Sequence, residues 1–427
     1  MKKLFTTFIF LAAASVSWAN GYQVLLQAAR AIAMGNIGVP FATSSSVFWN
    51  PGALGIARHS TVEIGFAPIF SRVQYYASDI PNSTYTAETD NPIGTPFYLY
   101  AVWAREESPL RLAIGVYTPY GSSVNWESGW RGDVLLDEIG LESVYVQPTI
   151  AYKLTDKLSI GGGVVYAIGF VNLQRQLPIS SEDVDPSVEL NGNASGWGYN
   201  LGILFQPSQR WSIGLNYRSK VSMTLKDGDA TFAVPQSLRV YFPEGNTFDT
   251  TLPLPDNIAL GVAWHTNERL TLAAQVTRTG WNAYKELAFD FAINTDRLQD
   301  THSPRNYENS YSYNVGAEYA LNPVFTLRAG YYFDESPVRD GYLTPETPSS
   351  DRNNFTAGVG IAVTEQLNVD LSFLYISAKE RTQTQEDVEQ AGTYDPETGE
   401  QGALPGTYRF NAFIPGISIS YKFNVRQ

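Results

Sequence analysis

The chain has 427 residues, of which 44% are hydrophobic and 17% are charged, whereas about a quarter of an ordinary soluble domain is charged. Its 29 basic and 42 acidic residues give a formal net charge of −13, which argues against nucleic acid or an anionic membrane surface as the main partner. Because cysteine is absent, disulfide frameworks, thiolate zinc sites and cysteine nucleophiles are excluded.

The N-terminus has the three parts of an export signal. Lys2 and Lys3 are basic, residues 4–14 are apolar, and Ser17-Trp18-Ala19 has the small-x-small pattern of a cleavage site. The apolar stretch is too short to span a bilayer as a helix. We therefore expect residues 1–19 to be a signal peptide that is removed after export, rather than a membrane anchor.

Residues 20–60 do not have the pattern of a strand. The stretch 24–34 has helical composition and spacing and ends at Gly35, a common helix stop. Further on, Asn50-Pro51-Gly52 indicates a compact turn. A segment this apolar is not expected to remain unpacked in water. We therefore expect residues 20–60 to form a hatch that fills the lumen of the β-barrel predicted below. A cap on the periplasmic side is the alternative.

From Thr61 to the end, apolar and polar residues alternate with a period of two. In one such stretch the apolar face is predicted to carry Trp211, Ile213, Leu215, Tyr217, Val221 and Met223. Many of these stretches reach ten residues or more, as a tilted membrane strand requires, whereas strands of soluble sandwiches are usually shorter. An aromatic content of 13% also suits a barrel in which lipid-facing and wetted residues alternate.

Short polar turns alternate with long irregular loops along this region. The turns lie at 106–109, 155–157, 207–210, 266–269, 322–323 and 364–366. The loops lie near 78–95, 118–142, 174–196, 226–256, 291–306, 334–353 and 377–407. This arrangement predicts an all-β fold, a 14-stranded antiparallel transmembrane β-barrel over residues 61–427 with a small helical hatch. Residues 230–242 form either an additional strand or a hairpin within a loop.

Several short fragments occur in a fixed order along the mature chain. They include Gly21-Tyr22-Gln23, Asn50-Pro51-Gly52, Trp130-Arg131-Gly132, Tyr217-Arg218-Ser219 and Arg328-Ala329-Gly330-Tyr331. On these residues the chain resembles the FadL family of outer-membrane transporters for long-chain fatty acids and other hydrophobic compounds. Gly52 stands where that family has alanine. The resemblance implies a hatch-plugged barrel of 14 strands in the outer membrane of a Gram-negative bacterium.

The resemblance also implies a transport route. Family members capture an apolar ligand at the outer surface, hold it in a pocket beside the hatch, and release it sideways where the third strand kinks. In this sequence the third strand is interrupted at Thr118, Pro119, Tyr120 and Gly121, because proline donates no ladder hydrogen bond and glycine tolerates unusual dihedral angles. The interruption is either a lateral gate or simply the start of a loop.

The same resemblance suggests ligand-binding residues. Asn20, Gly21 and Tyr22 would lie in the inner pocket. A fatty carboxylate needs a cation, and basic residues on the predicted inward face are Lys153, Arg218, Lys220 and Arg328. Each of these could instead pair with carboxylates of the hatch or lumen, or be solvated. Arg30 could anchor the hatch to the wall.

Catalysis, cofactors and metal sites are not expected. His59, His265 and His302 are scattered, and we find neither a nucleophilic triad nor a metal-ligand spacing. The expected partners are a long-chain fatty acid or another apolar small molecule, together with outer-membrane lipid and lipopolysaccharide, and the protein is expected to be a monomer.

Three other functions are weighed against this one: an aromatic-hydrocarbon channel of the same family, a non-transport barrel scaffold for surface secretion or assembly, and an open porin. The hatch disfavours the porin. A continuous apolar cavity that reaches a wall opening near Pro119 would favour transport over the scaffold.

Overall fold

The computed structural model describes residues 21–394 and 402–423. The predicted signal peptide, residues 1–19, and the predicted ligand residue Asn20 lie outside the described residues. Within the described part of the chain, no helix is long and apolar enough to cross a membrane.

One antiparallel sheet forms the wall. Its first half comprises β1 (Thr61–Phe66), β2 (Phe70–Tyr76), β3 (Thr86–Glu88), β4 (Phe97–Ala104), β5 (Leu110–Tyr117), β6 (Gly121–Asn125), β7 (Glu138–Lys153), β8 (Leu158–Gln176), β9 (Ser187–Ser208), β10 (Trp211–Arg218) and β11 (Val221–Ala233). Its second half comprises β12 (Asn246–Leu254), β13 (Asn257–His265), β14 (Leu270–Thr279), β15 (Glu286–Phe291), β16 (Thr301–Pro304), β17 (Ser310–Ala320), β18 (Phe325–Asp334), β19 (Arg352–Ala362), β20 (Leu367–Ala378), β21 (Arg381–Gln383) and β22 (Gly406–Lys422).

These segments make 14 crossings of the membrane, as the sequence predicts. Five crossings are interrupted and consist of two segments each: β1 with β2, β3 with β4, β5 with β6, β10 with β11, and β12 with β13. Neighbouring crossings pair antiparallel, and β1 pairs with β22 to close the sheet. The closed barrel confirms the predicted fold class. The short segments β15, β16 and β21 lie on the side of the long loops.

Large apolar side chains face the lipid and small or polar ones face the lumen, as the alternation predicts. On β10, for example, Trp211 and Leu215 are exposed, whereas Ser212 and Asn216 are buried. The phase changes between β10 and β11, where Arg218 and Ser219 are both buried. Met223 and Val221 therefore point inward, so the prediction that they share a face with Trp211 is wrong.

Several strands continue above the membrane, where the sequence predicts loops. β8 and β9 have 19 and 22 residues and pair along most of their length. Residues 230–233 extend β11, and only 236–238 form a short 3-10 turn. Residues 230–242 are thus neither an additional crossing nor a separate hairpin, because β9 and β12 supply ladder partners on both sides of β11.

The hatch lies inside the barrel and is almost entirely buried. It contains α1 (Ala29–Ala33), α2 (Ser46–Trp49) and a 3-10 helix (Pro51–Ile56), which Asn50 caps by accepting a hydrogen bond from the Gly52 backbone N–H (3.1 Å). The helix predicted over 24–34 begins only at Ala29. Its first five positions are not helical, and polar groups of Val24 and Gln27 bond to the wall, as described below.

The hatch backbone rests directly on glycines of the wall. A Cβ atom at Gly330 would lie 2.2 Å from the Gly35 nitrogen, and one at Gly316 would lie 2.2 Å from the Met34 oxygen. On the other side of the lumen, a Cβ atom at Gly161 would lie 2.4 Å from the Pro51 oxygen. Only residues without a side chain permit such an approach, so the hatch is seated on two sides.

Candidate functional site

The third crossing is interrupted, and its hydrogen-bond ladder with the second crossing is broken beside the interruption. β5 ends at Tyr117 and β6 begins at Gly121. At the lower end the Phe97 N–H donates to Thr118 Oγ1 (3.0 Å), and at the upper end the Asp90 N–H donates to the Asn125 carbonyl (2.9 Å). Among the described residues, no hydrogen bond joins 92–96 to 119–124. We call this gap the wall opening.

The first residues of the hatch occupy the inner side of the interruption. The Val24 N–H donates to the Pro119 carbonyl (2.8 Å), and the Gly121 N–H donates to the Tyr22 carbonyl (3.1 Å). The Gln27 side-chain amide donates to the Thr118 carbonyl (2.7 Å). Residues 21–28, here called the N-terminal segment, therefore satisfy backbone groups that a continuous strand pair would otherwise satisfy.

A cavity of about 380 Å³ extends from the N-terminal segment to the wall opening. Its lining includes Pro96 and Phe97 on one edge of the opening and Gly121 and Val124 on the other. A set of apolar lining residues comes from the N-terminal segment, β2, β20 and β22: Leu25, Leu26, Val73, Leu374, Ile376, Phe410, Ala412 and Ile414. We call this space the inner cavity.

One end of the inner cavity is polar. Asn36 of the hatch, Asp334 of β18, and Arg352 and Asn354 of β19 line it. Arg352 Nε, Asn354 Oδ1 and Asn36 Oδ1 are buried without a hydrogen-bond partner among the described residues. The Arg352 guanidinium lies over the Phe410 ring, 4.9 Å from its centre. Unpaired buried donors and acceptors are rare, so this end is suited to a polar group of a ligand.

A second, smaller cavity of about 80 Å³ lies under the long loops and is almost wholly apolar. Its lining includes Ile139, Leu173, Met223, Leu225, Leu252, Leu254, Leu287 and Phe289. Tyr22, Tyr120, Glu346 and Thr347 are among the residues that line both spaces, so the two cavities are neighbours. We call this second space the outer cavity.

Aromatic side chains hold Tyr22 at the boundary between the cavities. Its ring lies edge-on to Trp281 (4.7 Å between centres) and Tyr284 (5.9 Å), a favourable geometry. Its hydroxyl donates to the Pro253 carbonyl (3.0 Å). Burial raises the pKa of the Tyr284 hydroxyl to about 12, so that group is neutral. Gly21 has φ +44° and packs against the Trp281 ring, a site that tolerates no larger residue.

The four basic residues predicted to bind a carboxylate line neither cavity. Lys153 pairs with Asp156 (2.6 Å) beside a short turn. Lys220 is exposed between β10 and β11, so its predicted inward orientation is wrong. The reason is the phase change at Ser219, whose hydroxyl accepts a hydrogen bond from the Tyr199 N–H (2.9 Å).

The other two residues of this set point inward but already have partners. Arg218 is buried, lies 3.7 Å from the centre of the Phe48 ring and donates to the Phe48 carbonyl (2.9 Å). Arg328 pairs with Glu318 (2.6 Å) and Asp370 (2.5 Å). Arg328 thus shows the carboxylate pairing that the sequence left open. Arg218 instead packs against the hatch, and its Nε has no hydrogen-bond partner among the described residues.

Arg30 anchors the hatch to the same carboxylate. Its Nε and Nη2 each donate to Glu318 at 3.0 Å, a two-point pair between α1 and β17. This is the alternative role weighed for Arg30 in the sequence. The inner-cavity residue Arg352 was missed because it lies within the predicted loop 334–353, whereas β19 begins at Arg352. Its alternation with Asn354 and Thr356 was the available signal.

Comparison with known proteins gives a consistent result. The family model "Outer membrane protein transport protein (OMPP1/FadL/TodX)" matches residues 10–423. Outer membrane protein P1 of Haemophilus influenzae is 25% identical, over 79% of this chain and 81% of that protein. The long-chain fatty acid transport protein of Escherichia coli K12 is 23% identical, over 60% of this chain and 65% of that protein.

Solved structures share the fold. A FadL homologue of Pseudomonas aeruginosa superposes with a TM-score of 0.81 at 17% identity, covering 95% of this chain and all 100% of that one. The toluene transporter TbuX of Ralstonia pickettii superposes with a TM-score of 0.67 at 18% identity, covering 92% and 97%.

Proposed function

We propose a ligand route on the premise that this chain belongs to the OMPP1/FadL/TodX family and is an outer-membrane transporter of hydrophobic compounds. The ligand enters the outer cavity, passes Tyr22 and Tyr120 into the inner cavity, and leaves sideways through the wall opening. The observation that carries this proposal is that the lining of the inner cavity includes both the N-terminal segment and the two edges of the opening.

Sideways release suits the physical chemistry of an apolar ligand. Exposing apolar surface to water costs about 25 cal/mol per Å², so an exit into the aqueous periplasm is unfavourable. Through the wall opening the ligand passes from an apolar cavity directly into the membrane. The hatch, seated on wall glycines, blocks the axial path in the meantime.

The N-terminal segment is the gate in this proposal. Its bonds to Thr118, Pro119 and Gly121 are the contacts that must break before a ligand passes. At about 0.5–1.5 kcal/mol each, three such bonds cost about 1.5–4.5 kcal/mol in total. A ligand drives the opening only by binding the open state more tightly than the closed one, and an affinity ratio of roughly 10- to 2,000-fold would supply this free energy.

The inner cavity favours an amphipathic acid as the substrate. A cavity of about 150 Å³ holds a molecule of the size of benzene, and the inner cavity has about 380 Å³. The unpaired donor of Arg352 at its polar end suits a carboxylate. A long-chain fatty acid, with its head group at Arg352 and its tail toward the opening, fulfils both conditions.

Transport of a neutral aromatic hydrocarbon is the second candidate. The almost wholly apolar lining of the outer cavity favours it, and it requires no head-group contact at Arg352. A scaffold function gives no role to a cavity that reaches the wall opening, so we place it behind both transport functions.

We further propose how the whole chain is organised in the membrane. After removal of signal peptide 1–19, residues 20–60 act as the hatch and 61–427 as the barrel. Each barrel carries its own cavities and opening, so the working unit is a monomer, with its outer surface in contact with lipopolysaccharide.

Reversible closure of the wall opening tests the route. The chain has no cysteine, so the double variant Thr95→Cys/Ser123→Cys carries the only two thiols, one on each edge of the opening. A cleavable bismaleimide joins them. We expect the linked protein to lose uptake of labelled palmitate in cells without another transporter, and cleavage of the linker to restore it.

A matched pair controls for the linker itself. Leu99→Cys/Val116→Cys lies on the same two crossings, where the wall is continuous and the two residues are register partners. Linking this pair should leave uptake unchanged. Normal palmitate uptake by the linked Thr95→Cys/Ser123→Cys protein would refute sideways release.

A further inference from the structure

The boundary between the two cavities contains a buried charge. Two charged residues line both cavities among the described residues, Glu142 and Glu346. Glu142 is exposed, whereas only 13% of the Glu346 side chain is exposed. A molecule that moves from the outer to the inner cavity must therefore pass a buried carboxylate.

Glu346 is held by Arg305, and the pair is geometrically incomplete. Arg305 Nη2 donates to Glu346 Oε1, and the Arg305 side chain is 6% exposed. Arg305 Nε, on the same edge of the guanidinium, is buried without a partner among the described residues. Carboxylates prefer to bind such an edge at two points.

Other arginine–carboxylate pairs in this protein achieve the two-point geometry. Arg30 donates from both Nε and Nη2 to Glu318. Arg131 donates from Nη1 and Nη2 to the two oxygens of Asp79, at 2.7 Å each. Arg305 therefore has an unused donor, Nε, beside the Nη2 donor that binds Glu346. A carboxylate that bound this edge at two points would use both.

Arg305 lines neither cavity itself, but its side chain contacts Tyr284. Its backbone N–H donates to the Lys285 carbonyl (2.8 Å), and the Tyr307 N–H donates to the Tyr284 carbonyl (3.1 Å). Tyr284 lines the outer cavity. An anionic group in that cavity is thus one aromatic side chain away from the guanidinium.

We propose that Arg305 is a transit site for an anionic head group: a ligand carboxylate entering the outer cavity replaces Glu346 on the Nε and Nη2 edge of Arg305. Glu346 then leaves the boundary, and the ligand tail enters the inner cavity. This inference rests on the proposed transport function and concerns an earlier step than binding at Arg352.

Displacing Glu346 from Arg305 costs less free energy for an acid than for a neutral compound. A buried arginine that loses its only carboxylate is strongly destabilised, but an exchange of one carboxylate for another keeps it paired. A neutral ligand offers no carboxylate to replace Glu346, so its passage requires the full free energy of breaking the buried Arg305–Glu346 pair. The loops remain attached while Glu346 moves, because the Glu308 N–H donates to the Pro337 carbonyl (2.9 Å) and Asn306 Nδ2 to the Tyr342 hydroxyl (3.2 Å).

Stopped-flow association rates of palmitate and methyl palmitate with the purified full-length protein test this site. In the wild type we expect palmitate to associate faster. In the double variant Arg305→Gln/Glu346→Gln, which has no buried ion pair at the boundary, methyl palmitate should associate roughly 100-fold faster than in the wild type, and the two rates should become similar. Arg305→Lys keeps the charge but not the two-point edge, and it should slow palmitate selectively.

Two further measurements make the outcomes distinct. Arg131→Gln/Asp79→Asn removes an ion pair of the long loops that lines neither cavity, and it should leave both rates unchanged. An unchanged methyl palmitate rate in the boundary variant, or the same acceleration in the control variant, overturns this inference while the transport function stands. If the wild type binds neither ligand, the proposed function fails as well. Heat-dependent gel mobility confirms that each variant is folded, and Arg305→Lys tests the site if the double variant is not.

Discussion

Substitution of Gln27 by leucine tests whether the N-terminal segment closes the interruption in the third crossing. Gln27 is fully buried, and its amide donates to the carbonyls of Thr118 (2.7 Å) and Val24 (3.0 Å). Its Oε1 has no partner among the described residues. The substitution therefore removes the Nε2 donor and leaves no donor of another residue unpaired. The Thr118 carbonyl loses a partner in a partly buried place.

The structure gives the size of the effect. A buried acceptor left unpaired costs about 1–3 kcal/mol, which corresponds to a roughly 5- to 150-fold larger open fraction of the segment. Hydrogen–deuterium exchange of the detergent-purified protein reports this fraction directly, because the Gly121 amide is bonded to Tyr22 only while the segment is seated. We expect the Gly121 amide to exchange faster by the same factor.

Gln275→Leu is the matched control. Gln275 Oε1 accepts hydrogen bonds from the N–H groups of Gly38 (3.3 Å) and Val39 (3.1 Å), which lie in the hatch but away from the opening. This variant should accelerate exchange at residues 38–39 and leave Gly121 unchanged. An unchanged exchange rate at Gly121 in Gln27→Leu, or equal effects of the two variants at Gly121, would refute the assignment of the N-terminal segment as the gate.

Three other predictions concern the inner cavity and the seating of the hatch. Arg352→Gln removes a charged donor worth about 1.5–3 kcal/mol, so the affinity for palmitate should fall roughly 10- to 150-fold in a fluorescence titration, with that for methyl palmitate unchanged; equal losses would contradict a head-group role. Arg328→Met leaves Glu318 and Asp370 without this partner, and unfolding in denaturant should be easier by about 3–5 kcal/mol; an unaltered midpoint would show that the network adds nothing. Gly330→Val places a side chain on the Gly35 backbone, so planar-bilayer recordings should show steady conductance, whereas Ala329→Val on the lipid face should stay silent.

The barrel was predictable because its signals are local. Alternation over ten or more residues and the regular exchange of short turns and long loops fix the number of crossings without any knowledge of contacts. Residues 230–242 were harder, because a strand that leaves the membrane keeps its ladder only where neighbouring strands also extend. That condition depends on residues far away in the chain.

The site was less predictable, for the same reason. Residues 24–28 have helical spacing, but they bond to Pro119 and Thr118, distant in sequence, and are not helical. The orientation of Lys220 depends on a bond between Ser219 and Tyr199 on the neighbouring crossing. Arg305 has no motif around it, and its importance becomes visible only when Glu346 is found between the two cavities.

The glycine seats of the hatch also constrain how the protein is built. At Met34–Gly35 and again at Pro51 the hatch backbone lies directly against the wall backbone, with no side chain between them. A hatch displaced from these glycines would clash with the wall. A barrel that has already closed leaves no room for the hatch to enter and reach this position. We therefore expect the hatch to pack against the sheet during folding, before β1 pairs with β22 and closes the barrel.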